Sequence, residues 1–324
     1  MSEITQAFVL AAGLGTRLRP LTEELPKPLI PIFQKPLITF ALDHLIGVGV
    51  NRFVINTHRH PELFQNFFAT RDYAGFPVTL VHVLMLLRET GLDPESDEAR
   101  RAVGLVRDRV TWNGCGPQEC HANPFFAGEI EPCINGQVAA VGACFGQDVR
   151  GIVDRLLTEQ LADGGWNCEA ANGSMRSSFN TTICVLEALL EYELRCESTH
   201  EITRARQCAQ EYLLERRLFR RRSTGELIER DRKGGASWSR FAFPTWWHYD
   251  VLRGLQYFCH AGVSPDNRVS EAIELVASKR NSDGRWPLET EYPGMMPVQI
   301  DEGEGQPSRW NTLRALRVLK WYSA

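Results

Sequence analysis

The chain has 324 residues, 43% of them apolar and 23% charged, with a formal charge of −4. That is enough for two domains with sizeable cores, and it excludes a disordered tail, a collagen-like fibre and a small disulfide scaffold. The 36 basic and 40 acidic residues create no global attraction to nucleic acid or to an anionic membrane. The nine cysteines are an odd count, and Cys144, Cys184 and Cys259 sit inside apolar helical patterns, so they read as buried thiols of a reducing compartment. No stretch of about 18 apolar residues exists, so no transmembrane segment is expected. The acidic lead and short apolar run of MSEITQAFVLAAG read as a first strand rather than a signal peptide, and the expected location is the cytoplasm.

Composition changes along the chain, for every Cys and every Trp lies after residue 111. Residues 1–82 read in order as a strand (AFVLAAG), a Gly- and Pro-punctuated loop (GLGTRLRPLTEELPKP) and a helix (PLITFALDHLIGVG). A second strand (NRFVINTH), a short helix (PELFQNFF) and a third strand (FPVTLVH) follow. The expected fold here is a short Rossmann-like α/β segment with a three-strand parallel sheet. Residues 83–324 lack strand alternation and read as a mostly α domain of repeated helical hairpins. Five apolar segments begin at 83, 138, 185, 251 and 315, and four more charged amphipathic segments lie between them. Such alternation predicts apolar inner helices against charged outer ones. QLADGGW (160–166) and RNSDGRW (280–286) repeat a Gly turn closed by Trp, and GGASW (234–238) is a weaker third copy.

LAAGLGTRLRPLTEELPKPLIPI, continuing through INTH and VTLVH, resembles the opening signature of the sugar-1-phosphate nucleotidyltransferases. Read physically, Gly13 and Gly15 let the backbone approach a phosphate, and the turn's N–H groups can cradle anionic oxygens. Thr16 offers a hydroxyl, while Arg17 and Lys27 offer positive charge toward a triphosphate. Pro26 and Pro28 hold the Lys27 segment extended. The resemblance implies nucleoside triphosphate binding along Ala11, Ala12, Gly13, Gly15 and Thr16, with Arg17 and Lys27 as catalytic candidates and Mg²⁺ as cofactor. The family's later metal-binding Asp and its sugar pocket find no counterpart in the sequence.

The Q-x-x-x-G-x-W turn at Gln160, Gly164 and Trp166 and the hairpin period resemble the α/α toroid of squalene cyclases and protein prenyltransferases. Gly284 and Trp286 repeat the turn with Arg280 in the Gln place. The expectation is an incomplete toroid over 83–324, fused near His82–Val83 to an incomplete nucleotidyltransferase segment. The cyclases' D-x-D-D acid and the prenyltransferases' Asp-x-Cys pair are absent. An apolar or isoprenoid ligand, with Trp246, Trp247, Tyr249 and Trp310 lining a lumen, stands beside a plain role for these rings in packing. Cys133, Cys168, His248 and Asp301 fall near the starts of inner helices, which a toroid gathers at one mouth. With Asp250 and Trp310 they are the mouth candidates, and their donors suit Zn²⁺. Cys115, Cys120 and His121 are a poorer zinc set, and Glu129, Glu131, Glu302 and Glu304 read as loop residues or mouth lining. The arginines at 216, 217, 220, 221 and 222, followed by Arg230, Arg232 and Lys233, read as a solvated face or a diphosphate site. A non-catalytic lipid- or peptide-binding repeat is the remaining reading. No recognition-helix pattern supports nucleic acid.

Overall fold

The computed structural model describes residues 6–323, apart from 12, 14–15, 20, 24, 33–34, 48–49, 51, 58–59, 61, 65–74, 113–122, 229–236 and 293–299. The chain is about half helical. It divides into two compact units, Met1–Phe76 and Pro77–Ala324.

The first unit orders β1 (Gln6–Leu10), a small hairpin of β2 (Pro31–Ile32) and β3 (Lys35–Pro36), α1 (Leu37–Gly47) and β4 (Arg52–Asn56). β1 and β4 pair in parallel, with Phe8 opposite Val54 and Leu10 opposite Asn56. Alternation along each strand sends Val9, Phe53 and Ile55 toward Ile38 and Leu42 of α1. The other face leaves Phe8, Leu10 and Val54 exposed. α1 starts where the Thr39 hydroxyl donates to the Pro36 carbonyl at 2.6 Å. Only one turn of the PELFQNFF helix, 62–64, lies within the described residues.

The expected third strand is a correction. Residues 76–82 belong instead to α2 (Gly75–Glu89), so among the described residues the parallel sheet has two strands. A short β-branched apolar run does not by itself distinguish strand from buried helix. Here it continues without a break into VLMLLRE, and Val81, Leu84 and Met85 sit on one helical face in the main core. Tertiary packing overrides the local strand preference.

The remaining helices are α3 (Asp97–Arg109), α4 (Pro132–Cys144), α5 (Arg150–Thr158), α6 (Phe179–Arg195) and α7 (His200–Leu214). Then come α8 (Val251–His260), α9 (Ser270–Ser278) and α10 (Arg309–Tyr322). The short strands β5 (Thr111–Trp112) with β6 (Asn123–Pro124), and β7 (Trp286–Pro287) with β8 (Pro307–Ser308), tie loops together. The even-numbered helices from α2 onward correspond to the apolar segments and the odd-numbered ones to the charged segments. α4 is buried on nearly all sides and packs most extensively against α6. Gly136 permits this approach, since a Cβ there would stand 2.8 Å from the Cys184 backbone. α5 and α7 bury one stripe each, Ile152, Val153 and Leu156 on the first, Ile202, Ala205, Ala209 and Leu213 on the second. Among the described residues, no helix is long and apolar enough to cross a membrane.

The repeated turn has the same wiring in both full copies. The Trp166 indole donates to the Leu156 carbonyl and the Trp286 indole to the Val276 carbonyl, each ten residues back and each at 2.6 Å. The Trp166 N–H meets the Thr182 hydroxyl at 3.1 Å, and the Trp286 N–H meets the Thr312 hydroxyl at 3.0 Å. Gln160 donates to the Gly164 carbonyl at 2.7 Å, and Arg280 takes that place toward Gly284 at 3.2 Å. Gly164 is required twice over, since its φ is +97° and a Cβ would meet the Cys208 carbonyl oxygen at 2.5 Å. Both indoles are fully buried. Trp166→Phe or Trp286→Phe strands a buried carbonyl and opens a cavity. Each substitution is expected to lower stability by about 2–4 kcal/mol, measured by urea unfolding followed by circular dichroism.

Candidate functional site

The glycine loop leaves the carboxyl end of β1, beside the carboxyl end of its parallel neighbour β4. Open parallel sheets bind ligands at this edge, where strand ends and following loops leave a crevice. Asn56, the last residue of β4, fastens the loop, its side-chain oxygen accepting the Ala11 N–H at 2.8 Å. Ala11 itself is buried. Gly13 is exposed, with open space where a Cβ would lie. Thr16 is exposed and opens the 3₁₀ turn Thr16–Leu18, whose middle residue is Arg17. Lys27 is exposed and opens a second 3₁₀ turn, Lys27–Leu29, behind Pro26 in extended conformation. Ala12 and Gly15, and the side chain of Arg17, lie outside the described residues.

In the second unit, only part of the expected mouth comes together. Cys133 and Cys168 approach to 3.0 Å between sulfurs, joined by Glu131, and the three donor atoms lie within 4.8 Å of one another. Neither His248 nor Asp301 joins both thiols at that range. His248 is held between aromatic rings, 3.7 Å from Trp247 and 3.5 Å from Tyr292 by centroid. Asp250 caps α8, one carboxylate oxygen accepting the Arg253 N–H at 2.7 Å and the other the Ala242 N–H at 3.1 Å. Asp301 accepts the Ser308 hydroxyl and the Arg309 N–H, at the start of α10. Trp310 stacks on Phe243 and donates its indole N–H to the Ile300 carbonyl. Cys115, Cys120, His121, Arg230, Arg232 and Lys233 lie outside the described residues. Three arginines of the basic cluster are already paired, Arg216 with Asp163 and Glu215, Arg220 with Glu271, and Arg222 with Glu215.

A cavity of about 50 Å³ opens between α2, α6, α8 and α10. Its walls include Arg88, Glu89, Glu187, Arg253, Gln256 and Arg314. Charged side chains form much of this lining. Arg253 is the centre of this region. Its Nε and Nη2 each donate to a Glu187 oxygen at 2.8 Å, and its Nη1 donates to the carbonyls of Trp246 and His248. Burial works against both charges, but the partner together with Arg88 and Arg314 around Glu187, and with Cys184 and Glu89 around Arg253, more than offsets it. The Arg253 pKa is raised and that of Glu187 lowered.

The N-terminal stretch also matches known proteins. Residues 6–107 match the family described as nucleotidyl transferase. The matched stretch runs on through α2 and most of α3. The UTP–glucose-1-phosphate uridylyltransferase AglF of Haloferax volcanii is 40% identical over 77 residues, 24% of this chain and 31% of the relative. The N-acetylmuramate alpha-1-phosphate uridylyltransferase of Caulobacter vibrioides is 41% identical over 111 residues, 34% of this chain and 42% of the relative. A mannose-1-phosphate guanyltransferase of Hypocrea jecorina is 41% identical over 64 residues, 20% of this chain and 18% of the relative. The chain thus spans less than half the length of these curated relatives.

Two features escaped the sequence reading. Asn56 was legible only as the end of a strand, although a short polar amide there is what a following loop can be tied to. The Arg253–Glu187 pair was hidden because each residue stands within an apolar helical pattern. Arg253→Met is expected to cost about 3–5 kcal/mol, since it strands a buried Glu187, and Arg253→Met with Glu187→Leu is expected to recover part of that loss. Urea unfolding of the four proteins of this double-mutant cycle checks it.

His82 on α2 stacks on Trp246, with centroids 4.6 Å apart, and burial brings its pKa down from 6.5 to about 4. The unfolded chain therefore takes up this proton first. Stability is expected to be full above the unfolded value and to fall as pH drops from 6.5 toward 4. Thermal unfolding across that window is expected to be less pH-dependent in His82→Gln.

Proposed function

We propose that the N-terminal segment binds a nucleoside triphosphate at the loop following β1. Gly13, Gly15 and Thr16 would face the phosphates, and Arg17 and Lys27 would neutralise them. The observation that carries this reading is an open glycine loop at the carboxyl edge of a parallel strand pair, pinned by Asn56, within a stretch matched by the nucleotidyl transferase family. The relatives' names point to uridine and guanosine triphosphates and to sugar-1-phosphates as the substrate class. Among the described residues of the first unit, no group of carboxylate, His or Cys side chains gathers to hold Mg²⁺.

Calorimetric titration and thermal shift with UTP, GTP and dTTP, each with Mg²⁺, test this reading. The expected result is saturable binding of one nucleotide, with a stabilisation approaching about 2.7 kcal/mol at a hundred times the dissociation constant. Arg17→Ala and Lys27→Ala are each expected to weaken it by about tenfold or more, as loss of a charge-assisted phosphate contact implies. Absence of any shift at millimolar nucleotide would overturn it.

A second reading concerns the helical unit. We infer that it is a hairpin repeat of the α/α-toroid type. Among the described residues, five helices carrying the apolar segments alternate with four amphipathic ones, and this order, the matched wiring of the two Trp turns, and a cavity bordered by α2, α6, α8 and α10 support it. A polar ligand and an isoprenoid chain are the alternatives for such a unit. Mass spectrometry of small molecules co-purifying with the protein distinguishes the two.

A further inference from the structure

We propose that Glu131, Cys133 and Cys168 form a binding site for a thiophilic divalent cation, with Zn²⁺ the best fit. The site lies within the helical unit and does not rest on the nucleotide reading. Glu131 occupies the N-cap position of α4, Cys133 lies in that helix's first turn, and Cys168 opens the 3₁₀ helix Cys168–Asn172. Residues from two hairpins, 35 positions apart, therefore bring their donor atoms to one point.

The separations suit a metal. Sulfur stands 3.0 Å from sulfur, and Cys133 Sγ stands 3.7 Å from Glu131 Oε2. Tetrahedral zinc, with bonds of about 2.3 Å to sulfur and about 2.0–2.2 Å to oxygen, spaces its ligands about 3.5–3.8 Å apart. Moving the two sulfurs apart by less than about 1 Å meets that geometry. The two soft thiolates select zinc over magnesium or calcium, and a carboxylate oxygen is an accepted third ligand of zinc.

The surroundings hold these donors in place. Cys133 is buried on α4, the helix that packs most extensively against α6. The Thr181 hydroxyl on α6 lies 3.4 Å from Cys168 Sγ. Asn167 caps the 3₁₀ helix, accepting from the Glu169 N–H at 3.0 Å, and its amide donates to Ser174 and Arg176 across the same loop. Among the described residues no Lys or Arg forms an ion pair with Glu131. Glu129 lies close by, accepting the Glu131 N–H at 2.6 Å, and the Arg155 guanidinium is engaged by the Glu129 and Ile130 carbonyls. Glu131 is exposed, Cys168 half-buried and Cys133 buried, which gives the site one solvent-facing side. Three protein ligands with an open fourth position are the arrangement of zinc centres that accept water or a substrate atom. Binding converts two thiols to thiolates and releases two protons, so affinity rises with pH.

The test uses the full-length protein, reduced, freed of metal with a chelator, and titrated with Zn²⁺ and with Co²⁺. The expected result is one equivalent of either ion, with a thiolate-to-cobalt charge-transfer band and the strong visible bands of a tetrahedral site. Cys168→Ser, at a half-buried loop position, is expected to reduce the charge-transfer band by about half and the affinity by roughly two orders of magnitude. Glu131→Gln is expected to keep the band and weaken binding. Circular dichroism checks that each variant is folded, and Cys168→Ser keeps the test open if Cys133→Ser does not fold. Binding of less than about a tenth of an equivalent to the reduced protein overturns the proposal. So does undiminished binding in Cys133→Ser with Cys168→Ser, which would place the metal elsewhere, with Cys115, Cys120 and His121 the next set to examine. A Cys133–Cys168 disulfide in the isolated protein, followed by no uptake of metal after reduction, overturns it as well.

Discussion

The guanidinium of Arg253 is the point on which the helical unit turns. Only 3% of its side chain is exposed, yet its nitrogens reach Glu187 on α6, two backbone carbonyls of the loop before α8, and the Cys184 sulfur. A buried cation of this kind is tolerated only when its donors are matched almost completely. The match fixes more than charge. It sets the distance between α6 and α8, and it holds the Trp246–His248 segment against α8 by its carbonyls. Trp246 in turn stacks on His82 of α2. One ionic centre thus gives three helices and a loop a common reference, while the apolar core supplies most of the burial around them.

The two units invest their polar groups differently. In the first, one amide from Asn56 secures the start of a loop whose exposed residues, Gly13, Thr16 and Lys27, remain available to a ligand. In the second, many carboxylates and arginines are occupied with each other or with helix ends. Asp250 is a helix cap before it is anything else, and Asp301 holds Ser308, the N-cap of α10, and the Arg309 N–H. Burial raises the Asp250 carboxyl, and Arg314 acts against that rise. Residues that suggest chemistry by type alone become structural once their hydrogen bonds are counted. The thiol pair differs, because Cys133 and Cys168 meet chiefly each other. Their shared hydrogen bond holds Cys133 in its protonated form and lowers the pKa of Cys168.

Much of the helical unit was legible because the period of apolar residues is a direct consequence of burial. The alternation of more buried with one-sided helices holds from α2 to α9, while α10 buries one stripe only, and the Asp-Gly-x-Trp turns mark where hairpins close. FPVTLVH was misread because seven residues carry too little periodicity to separate a strand from the first turns of a long helix. The convergence of Cys133 with Cys168 was legible as two residues near inner-helix starts. Its restriction to those two was not, since His248 is taken up by flanking rings that come from different segments. Asn56 and Arg253 show the same limit: their partners stand 45 and 66 positions away, beyond any local pattern.

The indole bond that closes each Trp turn starts and finishes within a single hairpin, while the neighbouring amide reaches a threonine of the next helix. Each of these two modules therefore carries both its own latch and a socket for the helix that follows. A tandem copy inserted in register would arrive with its joints ready-made, so architectures of this kind can lengthen by duplication without evolving a new seam.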